Sequence, residues 1–339
     1  MNSPRIVNVS GSYYEQGRQH GEQLAVVIAE VVTETLGSHD WHHAKAQEGL
    51  KRLRSNLERH APGLLEELRG IAAGSGVPEE RLWAYNCIAD IWQWNAFCTN
   101  VAFAKSPDGP LIGKTNDIGR DGQRYHALFR RNSGDGGAML WVTWPGTVWA
   151  NCFVNGAGLA FGGTSVVKKV RNNDGAPCNI LLRWLGDACR NVEEGVALLR
   201  KIPIMHHPAN ITLADKGGHL AVVEKSPDGC GVRYPGEDGK IFAVNCFCTS
   251  ESAAGDPELE KNSQARAESL TTLMAAQPGS VERVKTVLAS HGHGGVCQHG
   301  DNPREMWTTV AYVAVPARKA IHFAYGRPCE TPFVEYKLD

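Results

Sequence analysis

Val101-Ala102-Phe103-Ala104 runs into Ser106-Pro107-Asp108-Gly109 and then into Pro110-Leu111-Ile112-Gly113-Lys114. Two short apolar runs separated by a Pro-Asp-Gly cluster read as a β-hairpin. The hairpin opens at Cys98-Thr99, and the chain changes character there. Upstream, apolar residues recur at three- and four-residue spacing. Tyr13 to Thr35 carries Leu24, Val27, Ile28, Val31 and Val32, and Ala46 to Ala73 carries Leu50, Leu53, Leu57, Leu64, Leu65 and Leu68. Both read as amphipathic helices. Gly74 to Pro78 is a stop and restart, and Pro78-Glu79-Glu80 opens a third helix that runs through Trp94.

Downstream of the hairpin, strands are expected at 127–131, 138–144, 148–154 and 159–163, followed by helices at 178–189 and 192–201. A second strand group falls at 210–214, 220–225, 231–234 and 241–244. Helices at 259–274 and 281–288 lead to closing strands at 309–315 and 320–324. Strand groups alternating with helix pairs suggest two mostly antiparallel sheets covered by helices, an α+β arrangement. Without a linker after Cys98, the division is a helical segment, 1–97, and one domain, 98–339.

The 339 residues carry 35 basic and 36 acidic side chains, a formal net charge of -1. That balance gives no field of one sign for nucleic acid or an anionic membrane. No apolar run has transmembrane length, and the N-terminus lacks an apolar leader, so a cytoplasmic protein is expected. The ten cysteines are scattered and form no disulfide framework.

Taken alone, a cysteine at a strand start reads first as a small buried hydrophobe. The functional alternative is a nucleophile freed by cleavage of the Phe97–Cys98 bond. Its own α-amine would then serve as base, as in threonine-type enzymes.

The order Cys98-Thr99, Asp108-Gly109 and Gly113-Lys114-Thr115-Asn116-Asp117 resembles the mature start of the cholylglycine hydrolase and penicillin acylase superfamily. Tyr14-Glu15-Gln16-Gly17-Arg18-Gln19-His20-Gly21-Glu22-Gln23-Leu24 and Ala324-Tyr325-Gly326-Arg327-Pro328-Cys329 resemble its isopenicillin N acyltransferase-like group of self-processing cysteine amidases and acyltransferases. The resemblance implies a four-layer αββα fold of the N-terminal-nucleophile (Ntn) hydrolases, preceded by a helical pro-segment. It implies cleavage before Cys98, with Phe97 standing where relatives often have glycine. Cys98 matches the nucleophile, and Asp117 the aspartate that contacts its amine and sulfur. Lys114 falls on an arginine of bile-salt hydrolases, and Thr164 on an oxyanion-hole asparagine. Asn245 matches a catalytic asparagine whose amide donates to the oxyanion. Arg266, in Asn262-Ser263-Gln264-Ala265-Arg266, matches a buried arginine supporting the aspartate. Asn155-Gly156-Ala157-Gly158-Leu159 matches a structural turn.

The expected activity is hydrolysis of a small-molecule amide, or transfer of its acyl group, through an acyl-thioester on Cys98. No cofactor is implied. The expected partners are the substrate and the cleaved 1–97 fragment retained as a small subunit, with room for a homo-oligomer. Two other classes compete. One is an uncleaved binding protein of the same fold. The other is a zinc-dependent hydrolase using His291, His293, Cys297 and His299. That glycine-rich loop matches no standard structural-zinc spacing, so no metal is expected and the loop is read as a border of the substrate pocket.

Overall fold

The computed structural model describes residues 3–92, 97–167, 170–249, 257–275, 277–302 and 305–338. The chain opens with β1 (Arg5–Asn8) and the helices α1 (Tyr13–Gly37), α2 (Ala44–His60), α3 (Pro62–Ser75), α4 (Glu79–Asn86) and α5 (Ile88–Ile91). Ser12 starts α1 through a capping box with Glu15, satisfying amide groups that a first helical turn leaves unpaired. The single helix expected over 46–73 is two helices. Pro62 has no N–H to continue the ladder and takes the first position of α3 instead. Gly76, at φ 73°, closes α3 in the left-handed conformation. Of the third expected helix, α4 and α5 are present, and Trp94 lies outside the described residues.

The strand-rich part follows as β2 (Phe97–Phe103), β3 (Leu111–Ile118), β4 (Ala127–Arg131), β5 (Met139–Thr143), β6 (Cys152–Asn155) and β7 (Leu159–Ser165). Then come α6 (Cys178–Ala188), α7 (Val192–Lys201), β8 (Ala209–Asp215), β9 (Leu220–Ser226), β10 (Gly229–Arg233) and β11 (Lys240–Ala243). The chain ends with α8 (Pro257–Ala275), α9 (Val281–Leu288), β12 (Trp307–Val315), β13 (Ala320–Ala324) and β14 (Val334–Lys337). The strand expected from Val148 begins only at Cys152, because the preceding residues bond to a helix. Val148 N–H donates to Asn86 Oδ1 and the Trp149 indole to Asn86 O.

Two sheets result. One has eight strands in the order β1-β4-β5-β6-β7-β8-β9-β10, and the other six in the order β11-β2-β3-β12-β13-β14. Among the described residues, all strand pairings are antiparallel except β1 with β4. Strand alternation builds three apolar layers. Ala102, Ile112, Leu128, Val142, Val222 and Tyr312 pack between the sheets. The residues one step along, Val101, Phe103, Leu111 and Val313, face Leu270, Val284 and Leu288 of α8 and α9. Phe129, Trp141, Phe153 and Phe161 of the larger sheet pack on α1, α3 and α6 through Ile28, Leu68 and Leu185. The molecule is therefore a four-layer αββα arrangement. Among the described residues no helix is long and apolar enough to cross a membrane.

Candidate active site

Hairpin pairing sets the site. Cys98 stands opposite Asn116, Thr99 opposite Thr115, and Phe97 opposite Asp117. Residues 93–96, which lead into Phe97, lie outside the described residues. Because strand side chains alternate, Cys98, Lys114 and Asn116 share one face and line a pocket of about 80 Å³. Thr99, Thr115 and Asp117 face the other way, toward α8.

On the pocket face, Lys114 Nζ lies 3.8 Å from Cys98 Sγ and 3.3 Å from Thr115 O, and also donates to Asn116 Oδ1. Its ammonium sits over the Tyr312 ring, 5.6 Å from the centroid. Asn116 Nδ2 is 3.5 Å from His126 Nε2, which also accepts from the Trp144 indole at 3.4 Å. Burial pushes His126 down to about 3 and keeps it neutral. Burial also raises the Cys98 thiol above its ordinary value. The Lys114 charge, the Asp117 backbone N–H and Arg266 pull it back, while the Asp117 carboxylate adds to the rise.

On the helix face, Asp117 Oδ1 accepts from Thr308 Oγ1 at 2.6 Å and Oδ2 from Thr115 Oγ1 at 3.3 Å. Burial lifts the Asp117 carboxyl to about 6 against the opposing pull of Arg266, Thr308, Lys114 and Thr115. Arg266, fully buried on α8, donates through NH1 to Cys98 O at 2.7 Å and Thr99 Oγ1 at 2.8 Å. Its NH2 donates to Asn245 Oδ1 at 2.7 Å. That same oxygen accepts Cys98 N–H at 3.1 Å, and Asn245 Nδ2 donates to Ser165 O at 2.8 Å. Thr164 Oγ1 donates to Val244 O at 2.9 Å, so Thr164 ties β7 to the end of β11.

The residues marked in the sequence thus converge on one point. Cys98, Lys114, Asn245 and Arg266 meet directly, Asp117 meets them through its backbone, and Thr164 lines the pocket. Others were not marked. Asn210 Nδ2 holds Val244 O at 2.7 Å and Cys246 O at 3.0 Å, and so positions Asn245. His207 lines the pocket with φ 58°, a strained setting for a side chain that is not glycine, and burial lowers it to about 4. Asn151 also lines the pocket, its buried side chain set beside the Tyr312 hydroxyl. No motif signals these three; the path of the chain between strands brings Asn151 and His207 here, and the pairing of β8 with β7 brings Asn210. Trp144, Trp149, Phe161 and Leu182 supply apolar walls, and Lys114 is the only charged side chain that lines the pocket among the described residues.

Residues 106–318, well over half of the chain, match the family model described as acyl-coenzyme A:6-aminopenicillanic acid acyl-transferase. The chain belongs to that family. Lys114, Asp117, Asn245 and Arg266 fall inside the match, whereas Cys98 precedes it. Family membership supports an enzyme of acyl–amide chemistry. Solved structures similar to the chain include a variant of the conjugated bile acid hydrolase from Clostridium perfringens, at 13% identity. It covers 71% of this chain and 97% of its own, with a TM-score of 0.44. Penicillin V acylase from Agrobacterium tumefaciens is 17% identical over 67% of this chain and 83% of its own, with a TM-score of 0.43. The Caenorhabditis elegans N-acylethanolamine-hydrolyzing acid amidase ortholog is 13% identical over 65% and 93%, with a TM-score of 0.46. No curated protein matches the chain.

The His-rich loop lies elsewhere. His291 and His299 gather with Cys329, and Cys297 stands beside Cys329. None of the four lines the pocket that holds Cys98.

Proposed function

We propose that the chain is a self-processing enzyme whose nucleophile is Cys98, and that it hydrolyses a small N-acyl amide. The supporting observation is the treatment of one residue's atoms. The Cys98 nitrogen is held by Asn245, its carbonyl by Arg266, and its sulfur faces Lys114 across a small pocket.

Processing begins when the Cys98 thiol attacks the Phe97 carbonyl. The peptide C–N bond breaks, the proton passes to the Cys98 nitrogen, and a thioester remains. Water resolves it to a Phe97 carboxylate and a cysteine with free thiol and free amine. That amine is a better acceptor for the thiol proton than bulk water. Asn245 Oδ1 keeps it in place, and the Lys114 ammonium stabilises the thiolate. The thiolate then attacks the substrate carbonyl. The oxyanion takes hydrogen bonds from donors that line the pocket, Asn151 Nδ2 among them, while Asn245 holds the Cys98 nitrogen beside them. The leaving amine departs with the proton, and water completes hydrolysis through the acyl-thioester. An acceptor amine in place of water would make the same step a transfer. The walls favour a flat or short apolar acyl group, and Lys114 favours a neutral or anionic substrate over a cationic one.

Intact mass of the purified chain tests this reading. Two fragments, 1–97 and 98–339, are expected, with the larger beginning Cys-Thr-Asn. Cys98→Ala should abolish both cleavage and amidase activity. An intact chain with full activity, or an active Cys98→Ala enzyme, overturns it.

A further inference from the structure

The loop after α9 and the turn after β13 bring together three donors that the proposed chemistry at Cys98 does not use, and a fourth, Cys297, stands outside that group beside Cys329. One ligand atom from each of His291, His299 and Cys329 lies within 4.8 Å of the other two. Cys297 Sγ is 3.6 Å from Cys329 Sγ, and Cys329 Sγ is 3.5 Å from His299 Nε2. Zinc bonds of about 2.3 Å to sulfur and about 2.05 Å to nitrogen give tetrahedral edges of roughly 3.75 Å and 3.55 Å. Both measured separations lie close to those edges.

We propose that Cys297, Cys329, His291 and His299 bind a divalent ion of the zinc(II) class, closing a structural site distinct from the pocket at Cys98. Two thiolates and two imidazoles are a borderline-soft set suited to such an ion and poorly suited to calcium or magnesium. His291 is already oriented for it. Its Nδ1 is 3.2 Å from Ala289 O, so an Nδ1–H donated to that carbonyl leaves Nε2 free to ligate. His299 has to exchange partners. Arg327 NH1 donates to its Nδ1 at 3.3 Å, which places the ring proton on Nε2, toward Cys329. On binding, the ion replaces that proton and the ring carries its hydrogen on Nδ1. Arg327 then turns away, keeping Glu330 and the face of Trp307 as partners. Both thiols lose their protons and both rings bind neutral, so about two protons leave per ion.

The placement gives the ion a purpose. Gln298, next to Cys297, donates its N–H to Thr308 Oγ1 at 2.8 Å, and Thr308 donates to Asp117 at 2.6 Å. A bound ion would fasten this loop to the C-terminal turn directly behind the carboxylate.

Cobalt(II) is the probe, added to chelator-treated full-length protein and, separately, to its Cys98→Ala variant so that the pocket thiol cannot supply the signal. The expected result is one equivalent bound in both, with sulfur-to-cobalt charge transfer in the near ultraviolet and the strong visible bands of a tetrahedral ion. Zinc(II) should erase both signals by displacing cobalt, and either ion added alone to the chelator-treated protein should release about two protons per ion into weak buffer. Cys329→Ser should lose about half of the charge-transfer intensity, leaving that of Cys297, and weaken binding by at least the roughly tenfold that even an outer-shell change costs. His293→Ala should bind as the parent does. Cobalt bound without charge transfer, or unchanged by Cys329→Ser, overturns the proposal. So does a thiol count on denatured, unreduced protein that falls two short, which would mark a Cys297–Cys329 disulfide instead. None of these readouts depends on Cys98 chemistry.

Discussion

Asp117 and Cys98 sit one register step apart on neighbouring strands, yet their side chains leave the sheet on opposite faces. The sulfur therefore meets the ammonium of Lys114, and the carboxylate meets hydroxyl groups on the helix side. Asp117 at about 6, against its ordinary 3.8, is the titration nearest the working pH range at this site. Its sign follows from its cause. Burial favours the neutral carboxyl, so the native chain holds this proton more tightly than the unfolded chain. That contribution to stability is fully present below pH 3.8 and is lost as pH rises through about 6. Activity runs the other way, because the ionised form is the one that Thr308 and Arg266 stabilise. An acid limb in kcat/KM near pH 6 is expected. Thr308→Val, which removes the 2.6 Å donor, should move that limb to higher pH. A limb that stays in place would assign it to another group. The sequence showed which residue types gather here, because motif order survives in the chain. Their division between faces follows from register, which was legible only once Cys98 was paired with Asn116. Asn151 and His207 were illegible because they lie in unpatterned stretches, and Asn210 because it opens an expected strand with nothing to mark its side chain.

At the scale of elements, the glycine-bearing motif of α1 acquires a physical meaning. Gly17 and Gly21 of α1 lie against Gly70 and Gly74 of α3. A Cβ on Gly70 would stand 2.1 Å from Tyr14 O, and one on Gly17 would stand 1.9 Å from Glu67 O. Backbone meets backbone, so no side chain can yield. Two effects oppose each other in Gly70→Ala. Helix propensity gains about 1 kcal/mol, whereas overpacking costs about 1–3 kcal/mol and more when a whole helix must move. The clash should win, giving a net loss of about 2 kcal/mol in chemical unfolding of the Cys98→Ala precursor. Gly37→Ala is the control, since a Cβ there would meet nothing within 4 Å, and it should be neutral or slightly stabilising. Equal effects of the two substitutions would show that the α1–α3 approach is not tight. The helices themselves were readable from their apolar spacing. The Pro62 break was not, because leucines continue across it and mask the end of α2. Four-residue strands such as β1 and β14 are too short to show alternation at all.

At the scale of the whole molecule, the proposed cut before Cys98 raises the question of what would hold 1–97 in place. Division at Cys98 does not follow the sheets, since β1 pairs in parallel with β4 and forms an edge of the larger one. Ile28, Leu68 and Leu82 share one apolar layer with Phe129, Trp141 and Phe153. Polar ties reinforce it. His20 Nε2 accepts Gly146 N–H at 3.0 Å, and Gln16 Oε1 accepts from Arg131 NH1 at 2.9 Å. Asn86 donates to Gly146 O at 2.9 Å and accepts Val148 N–H at 2.8 Å. Burial lowers His20 to about 3, so it remains a neutral acceptor at any ordinary working pH. Separating the fragments would expose this layer and leave buried polar groups unpaired, at about 1–3 kcal/mol for each such group. The cleaved enzyme should therefore elute from gel filtration as one species containing both fragments and unfold in one cooperative transition. Asn86→Ala should loosen the wall at Trp144 to Val148, lowering the melting temperature and raising KM more than it lowers kcat. Release of the small fragment without denaturant, with activity kept by the large one, would mean that the helical segment serves only to deliver the cut.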